Sequence, residues 1–344
     1  MKKIFFELWN AGLFNQVSSL ELAVGLAHET KRPLVVHFFC HDSNRNIYIS
    51  TPSIHFNNQR NNFTDRSFKN NPHLLDLVDI DTDLIIVNEK INSFKQEEFV
   101  INNLMTGYYY SNKIEMTENE LAFAEGRQRL PLDKTIHLKQ TLGWYSRFFY
   151  DRSPELNKAL SSVKFKQEYV SLAKKISNSL GKFQGMHLRL SEHRVDPLFS
   201  KEDIVEFWLK KYEENGLPIV FSTEDPNNPL IVKNKHRFIL LDEFIVNNFA
   251  DEFKSLPFQD EVVFGLICNL VLHDSINFVG KSGTTYTSYI QRCRNQKGIE
   301  TWDFFDNPPK ANGNPYSWVG YISSDGLLPN DLKMWWREWP ESKC

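Results

Sequence analysis

Cysteine is scarce: Cys40, Cys268, Cys293 and Cys344 are the four in 344 residues, and no two form a Cys-x-x-Cys pair. Thiols so scattered argue against a disulfide framework or a cysteine-based zinc site and suit a reducing compartment, so a cytoplasmic location is expected. Glycine and proline, at 15 each, are too few for a fibrous or low-complexity chain. An excess of one charge is also missing, since 40 Lys and Arg face 43 Asp and Glu. No net field draws the molecule to nucleic acid or anionic lipid, and any anion site must be local. Long apolar runs are lacking as well. The most apolar stretch, Val262 to Leu272, is interrupted by Asn269 and falls short of the roughly 20 residues a membrane span needs. The opening Met1-Lys2-Lys3-Ile4-Phe5-Phe6 imitates a signal peptide, but Glu7 and Asn10 break it, and it reads better as a first strand.

What remains is an ordinary globular composition with 41% hydrophobic and 14% aromatic residues and a length that, at about 150 residues per domain, fits two domains. Strand-like and helical patterns alternate. Ile4–Trp9 is strand-like, Val17, Leu20, Val24 and Ala27 recur at helical spacing, and 33–39 returns to a buried-strand pattern. Residues 43–73, dense in Asn, Ser and Arg, read as a long loop. Leu84–Val87 reads as a strand, Glu118–Arg129 as a helix, and Phe165–Leu180 as a helix with Tyr169, Leu172, Ala173 and Ile176 on one face. Further on come a strand at Gly185–Leu190, a helix at Lys201–Glu214 and a strand at Leu217–Ser222. A short helix at Pro229–Lys233, a strand at Phe238–Leu241 and a helix at Asp260–Leu272 follow, then a strand at Ile276–Gly280 and a helix at Thr285–Arg294. Regular alternation predicts an α/β chain with parallel sheets and ligands at the carboxyl ends of the strands. The expected division is 1–180, 181–306 and a Trp-rich tail, 307–344, packed across the domains.

Three segments could carry chemistry. Ala11-Gly12-Leu13-Phe14-Asn15-Gln16 lies between the first strand and the first helix, where a glycine permits a tight turn and the helix offers unpaired N–H groups. It serves equally as a simple turn, and the phosphate-loop and dinucleotide patterns are absent. Gly185-Met186-His187-Leu188-Arg189-Leu190 places 187 and 189 on one strand face and 186, 188 and 190 on the other. Arginine there suits a departing diphosphate, because its charge is permanent and its planar fork pairs with phosphate oxygens. A hydrogen-bonded structural histidine and an ion-paired arginine are the alternatives, and with no convincing third ligand His187 and His193 do not make a metal site. The third segment, Asn277-Phe278-Val279-Gly280-Lys281-Ser282-Gly283-Thr284-Thr285-Tyr286-Thr287, sets hydroxyls and amides at a helix N-terminus, which binds phosphate without a metal or simply caps the helix. Ser222 closes a strand at the ligand-binding face, and the polar run after it either touches a ligand or turns into Pro226. Cys268 reads as core.

Taken in order, Gly-x-x-Asn-Gln after strand one, His-x-Arg at mid-chain and Phe-Val-Gly-x-Ser-x-Thr-Thr-Tyr before a late helix resemble the superfamily of GDP-fucose-dependent fucosyltransferases. That superfamily includes protein O-fucosyltransferases and the α1,2- and α1,6-fucosyltransferases. The resemblance implies a GT-B type enzyme with two Rossmann-like domains whose parallel sheets face a central cleft, the first on the acceptor side and the second holding the nucleotide-sugar donor. It implies inverting transfer of fucose from GDP-fucose to a hydroxyl of a glycan or protein, with no cofactor and no metal. Arg189 would hold the β-phosphate and glycosidic oxygen, Asn15 would lie near the reacting centre with Gly12 in the same turn, and His187 would contact the nucleotide. Thr284, Thr285 and Tyr286 would cradle the diphosphate, with Ser222 and Ser282 also on the donor. Leu190 stands where the α1,6 and α1,2 groups have a second arginine, which favours the protein-O-fucosyltransferase-like side.

The chemistry agrees with this. Displacing a sugar from a nucleoside diphosphate builds charge on the leaving phosphate, which fixed cations and N–H donors stabilise. An acceptor proton also needs a base, and Glu192 is the candidate. The same scaffold with another nucleotide sugar, or a non-catalytic nucleotide-sugar or glycan-binding protein, are the alternative functions.

Overall fold

A computed structural model describes residues 2–8, 13–37, 74–81, 83–84, 86–87, 99–102, 134–141, 162–188, 201–259, 261–280, 285–296 and 301–303. The described chain is mixed α/β and falls into two compact units, divided between Phe165 and Lys166. The expected loop over 43–73, the helix at Glu118–Arg129 and the tail 307–344 lie outside the described residues.

The first unit begins with strand β1 (Ile4–Leu8), helix α1 (Leu13–Thr30) and strand β2 (Leu34–His37), the β-α-β unit expected from the pattern. It continues with α2 (Leu74–Leu77), β3 (Val78–Ile80), β4 (Ile86–Val87), β5 (Phe99–Asn102), β6 (Ile136–Thr141) and β7 (Val163–Phe165). Five strands form a parallel sheet in the order β4-β2-β1-β6-β5, and β3 pairs antiparallel with β7. Val17, Leu20, Val24 and Ala27 of α1 are buried together with Ile4, Phe6, Leu34 and Val36 of the sheet. Helical spacing on one element and alternation on the other give one apolar layer.

The second unit opens with helix α3 (Gln167–Leu180), strand β8 (Gln184–His187), helix α4 (Lys201–Glu213) and strand β9 (Ile219–Ser222). Next come α5 (Pro229–Asn234), β10 (Ile239–Leu240), α6 (Leu241–Asn248), α7 (Ala250–Lys254) and α8 (Glu261–Leu272). Strand β11 (Phe278–Gly280), helix α9 (Thr285–Gln296) and strand β12 (Thr301–Asp303) complete it. Its parallel sheet runs β10-β9-β8-β11-β12. Counted within the unit, that is the strand order of a doubly wound nucleotide-binding sheet, with its topological switch point between β8 and β11.

Sequence alternation in β8 sorts the two faces. Met186 and Leu188 join Val205, Trp208, Leu209 and Tyr212 of α4 in one buried cluster. Gly185 faces the other way, where a Cβ would stand 2.8 Å from Ser275 Oγ and 3.1 Å from Leu272 Cδ2 at the end of α8. Only a residue without a side chain lets that helix end lie so close to the strand. Helix α3 buries Tyr169, Leu172, Ala173 and Ile176, the expected face, and packs on α8. It therefore belongs with the second unit, and the division falls before it rather than after it at residue 180. The packing partner decides this: α8 is the most apolar helix, and Cys268 is buried in it as expected. Among the described residues no helix is long and apolar enough to cross a membrane.

Candidate functional site

Three strand ends line up at the carboxyl edge of the second sheet. His187 of β8 is in register with Ser222 of β9 on one side and with Gly280 of β11 on the other. The switch point thus lies between His187 and Gly280, and the segment after Gly280 leads directly into α9. Parallel sheets collect ligands at such a place, because neighbouring connections leave to opposite faces and open a crevice there.

His187 is buried and in contact with the first turn of α9. Its Nδ1 shares a hydrogen bond of 2.9 Å with Thr287 Oγ1, the roles being set by the imidazole tautomer. Its ring stacks on Tyr286, with centroids 4.4 Å apart and an interplanar angle of 28°. Gly280 makes this approach possible: a Cβ at that position would collide with Thr287 Cγ2 and lie 3.1 Å from Phe278 Cζ. Tyr286 is held from a second side, donating its hydroxyl to the carbonyl of Gly265 at 3.3 Å while its own carbonyl accepts from Asn269 Nδ2 at 2.9 Å.

Ser222 is buried at the end of β9. The polar run after it forms a turn in which Thr223 Oγ1 accepts from the backbone N–H of Asp225 at 3.2 Å. Arg294, near the end of α9, has a structural role. Its buried guanidinium donates to the carbonyl and the hydroxyl of Ser275 and, at 3.1 Å, to the carbonyl of Ile276. Burial pushes its pKa down to about 10, so it remains a cation at neutral pH. It ties α9 to the turn that feeds β11, so two contacts, Thr287 to His187 and Arg294 to this turn, fix the helix against the sheet edge.

The structure therefore brings His187, Ser222 and Tyr286 to one edge, with Thr285 as the first residue of α9. The side chain of Thr285, together with Ser282, Thr284, Arg189 and Glu192, lies outside the described residues. Asn15 sits in the first turn of α1, after the carboxyl end of β1 in the first unit; its side chain and Gly12 are likewise outside the described residues. Among the described residues no three His, Cys, Asp or Glu side chains are grouped as a metal site requires.

Two members of this arrangement carry no role in the sequence reading. Thr287 stands inside the third motif, one residue beyond the last assigned to the diphosphate. Asn269 appears there only as the polar interruption of an apolar run, and that was the available signal: an amide buried in an apolar helix needs a hydrogen-bond partner.

No protein family and no curated protein matches this chain. Among solved structures, the fucosyltransferase NodZ from Bradyrhizobium is similar at 11% identity and a TM-score of 0.49, over 90% of this chain and 97% of that chain. FUT1 of Arabidopsis thaliana, in complex with GDP, is similar at 12% identity and a TM-score of 0.46, over 90% of this chain and 72% of that chain. POFUT1 in complex with GDP-fucose is similar at 11% identity and a TM-score of 0.42, over 88% of this chain and 98% of that chain. These are likenesses of chain path at low identity, and no residue of this chain takes its role from them.

Proposed function

We propose that this protein is a GT-B type, inverting glycosyltransferase that moves fucose from GDP-fucose to a hydroxyl of a glycan or protein acceptor, without a metal and in the cytoplasm. The observation that carries this reading is the edge at the switch point, where His187 packs against the first turn of α9 directly after the Gly280 strand end. It supports a diphosphate seat because the first N–H groups of a helix have no intrahelical acceptor and carry a partial positive charge. The order of the three sequence motifs supports GDP-fucose as the nucleotide sugar.

In this mechanism the acceptor oxygen attacks the anomeric carbon from the face opposite the diphosphate, the bond to the β-phosphate oxygen breaks, and GDP departs with the bonding electrons. Arg189, two residues beyond His187, pairs with the oxygens on which that charge collects. The amides and hydroxyls of 282–286 share the charge, while His187 and Ser222 contact the nucleotide. Asn15 lies near the reacting carbon, and Glu192 takes the acceptor proton. Charge stabilisation at a leaving group is a large part of the barrier reduction in such sites, so Arg189→Ala is expected to lower turnover about 10²–10³-fold while the melting temperature stays close to that of the parent protein. Near-parental transfer of fucose by a folded Arg189→Ala protein would overturn this mechanism.

A further inference from the structure

Helix α8 places Gly265 and Asn269 one turn apart, and His273 continues the same line just past the helix end. Two of them hold Tyr286, and the third holds Asn269. Gly265 accepts the Tyr286 hydroxyl, Asn269 Nδ2 donates to the Tyr286 carbonyl at 2.9 Å, and His273 Nε2 lies 3.0 Å from Asn269 Oδ1. The amide orientation follows from this chain: because Nδ2 donates forward, Oδ1 accepts, and His273 carries its proton on Nε2. Asn269 is fully buried and His273 nearly so, so the Asn269 amide is held on both sides away from solvent.

We propose that Asn269, oriented by His273, is a positioning residue for the donor site: it fixes the Tyr286 carbonyl and with it the first turn of α9. This rests on the reading that the diphosphate seats at that turn. The backbone N–H groups that would meet the phosphates move with the carbonyl, since both belong to the same turn. Losing the bond leaves the turn held by the Thr287–His187 hydrogen bond, the His187 stack and the Tyr286 hydroxyl, and part of its ordering then falls to the binding step.

The test compares His273→Leu, which removes the Nε2 donor, with His273→Gln, whose amide N–H reaches the same place, and with Asn269→Leu. Binding of GDP by calorimetry and hydrogen exchange of the amides of 285–290 in the free protein are both measured. His273→Leu and Asn269→Leu are expected to weaken GDP binding about tenfold, the worth of one buried hydrogen bond, while His273→Gln stays within about twofold of the parent. Exchange of the amides of 289 and 290, the first in α9 with intrahelical acceptors, should speed up in the leucine variants and not in His273→Gln. If Asn269→Leu does not fold, the His273 pair decides the matter. Equal GDP affinity and equal exchange in His273→Leu and His273→Gln would overturn the proposal, even if both lose stability. If the parent protein fails to bind GDP, the proposed function falls, and the exchange comparison alone then confirms or overturns the positioning of the turn.

Discussion

His187 reaches Thr287 only because position 280 carries no side chain. The Cβ of an alanine there would meet the Thr287 methyl on a fully buried residue, and the neighbouring Phe278 ring leaves it no other room. Overpacking of this kind costs about 1–3 kcal/mol. Gly280→Ala is therefore expected to lose about that much stability in denaturant titration and to separate Thr287 from His187, weakening GDP binding. A variant as stable as the parent, with unchanged affinity, would show that α9 is not held where the structure puts it. At this scale the sequence was readable where a residue type does one thing. The histidine at a strand end could be named as a candidate, whereas Gly280 stood only inside a motif with no role of its own. Thr287 and Asn269 could not be assigned, because a threonine in a helix and an asparagine in an apolar run acquire meaning only from what faces them.

Among the elements, α4 and the turn after α5 are joined by charge at the surface. Arg237 donates from Nε and Nη2 to Glu213, at 2.6 and 2.9 Å, and from Nη1 to Glu206 at 2.5 Å. These hydrogen bonds hold both carboxyls below their ordinary value of 4.5. A depressed carboxylate adds stability that is fully present above that value and lost as pH falls through the lowered one. Both glutamates are open to solvent, so the contribution is at most about 1 kcal/mol. The stability difference between the parent and Arg237→Met is expected to be constant at pH 6–7 and to shrink below pH 4.5. A difference that does not change on acidification would remove the ion pairs from the account. Elements were legible where they were long and periodic: α1, α3, α4, α8 and α9 follow their apolar spacing closely. Strands β3, β7 and β12, of three residues each, are too short to display a period. Strand β6 alternates only Ile136 and Leu138 with polar residues, as an edge strand would, yet it lies between β1 and β5, and no strand was expected there. Helices α6 and α7 were missed because Leu240 passes directly from β10 into Leu241 of α6, with no turn residues to announce a change.

At the scale of the molecule, each unit by itself repeats one plan. Its first strand lies inside a parallel sheet, its second strand pairs on one side, and a later strand on the other. That plan makes the carboxyl end of the first strand the natural place for a ligand, and each such end leads toward a motif: Gly12 and Asn15 after β1, Arg189 after His187 in β8. Alternating patterns revealed the sheets because strands buried on both faces must read as apolar runs between helices. Strand order within each sheet was not readable, since it depends on pairing between distant segments that share no local signal. The central claim is that the pyrophosphate of a nucleotide sugar sits at the mouth of α9 beside the end of β8. A crystal structure of the protein with GDP tests it most directly. The account predicts the diphosphate within hydrogen-bonding distance of the 284–286 backbone and of the Arg189 guanidinium. GDP bound elsewhere on the second unit, with apolar side chains filling the space between position 189 and the start of α9, would contradict it.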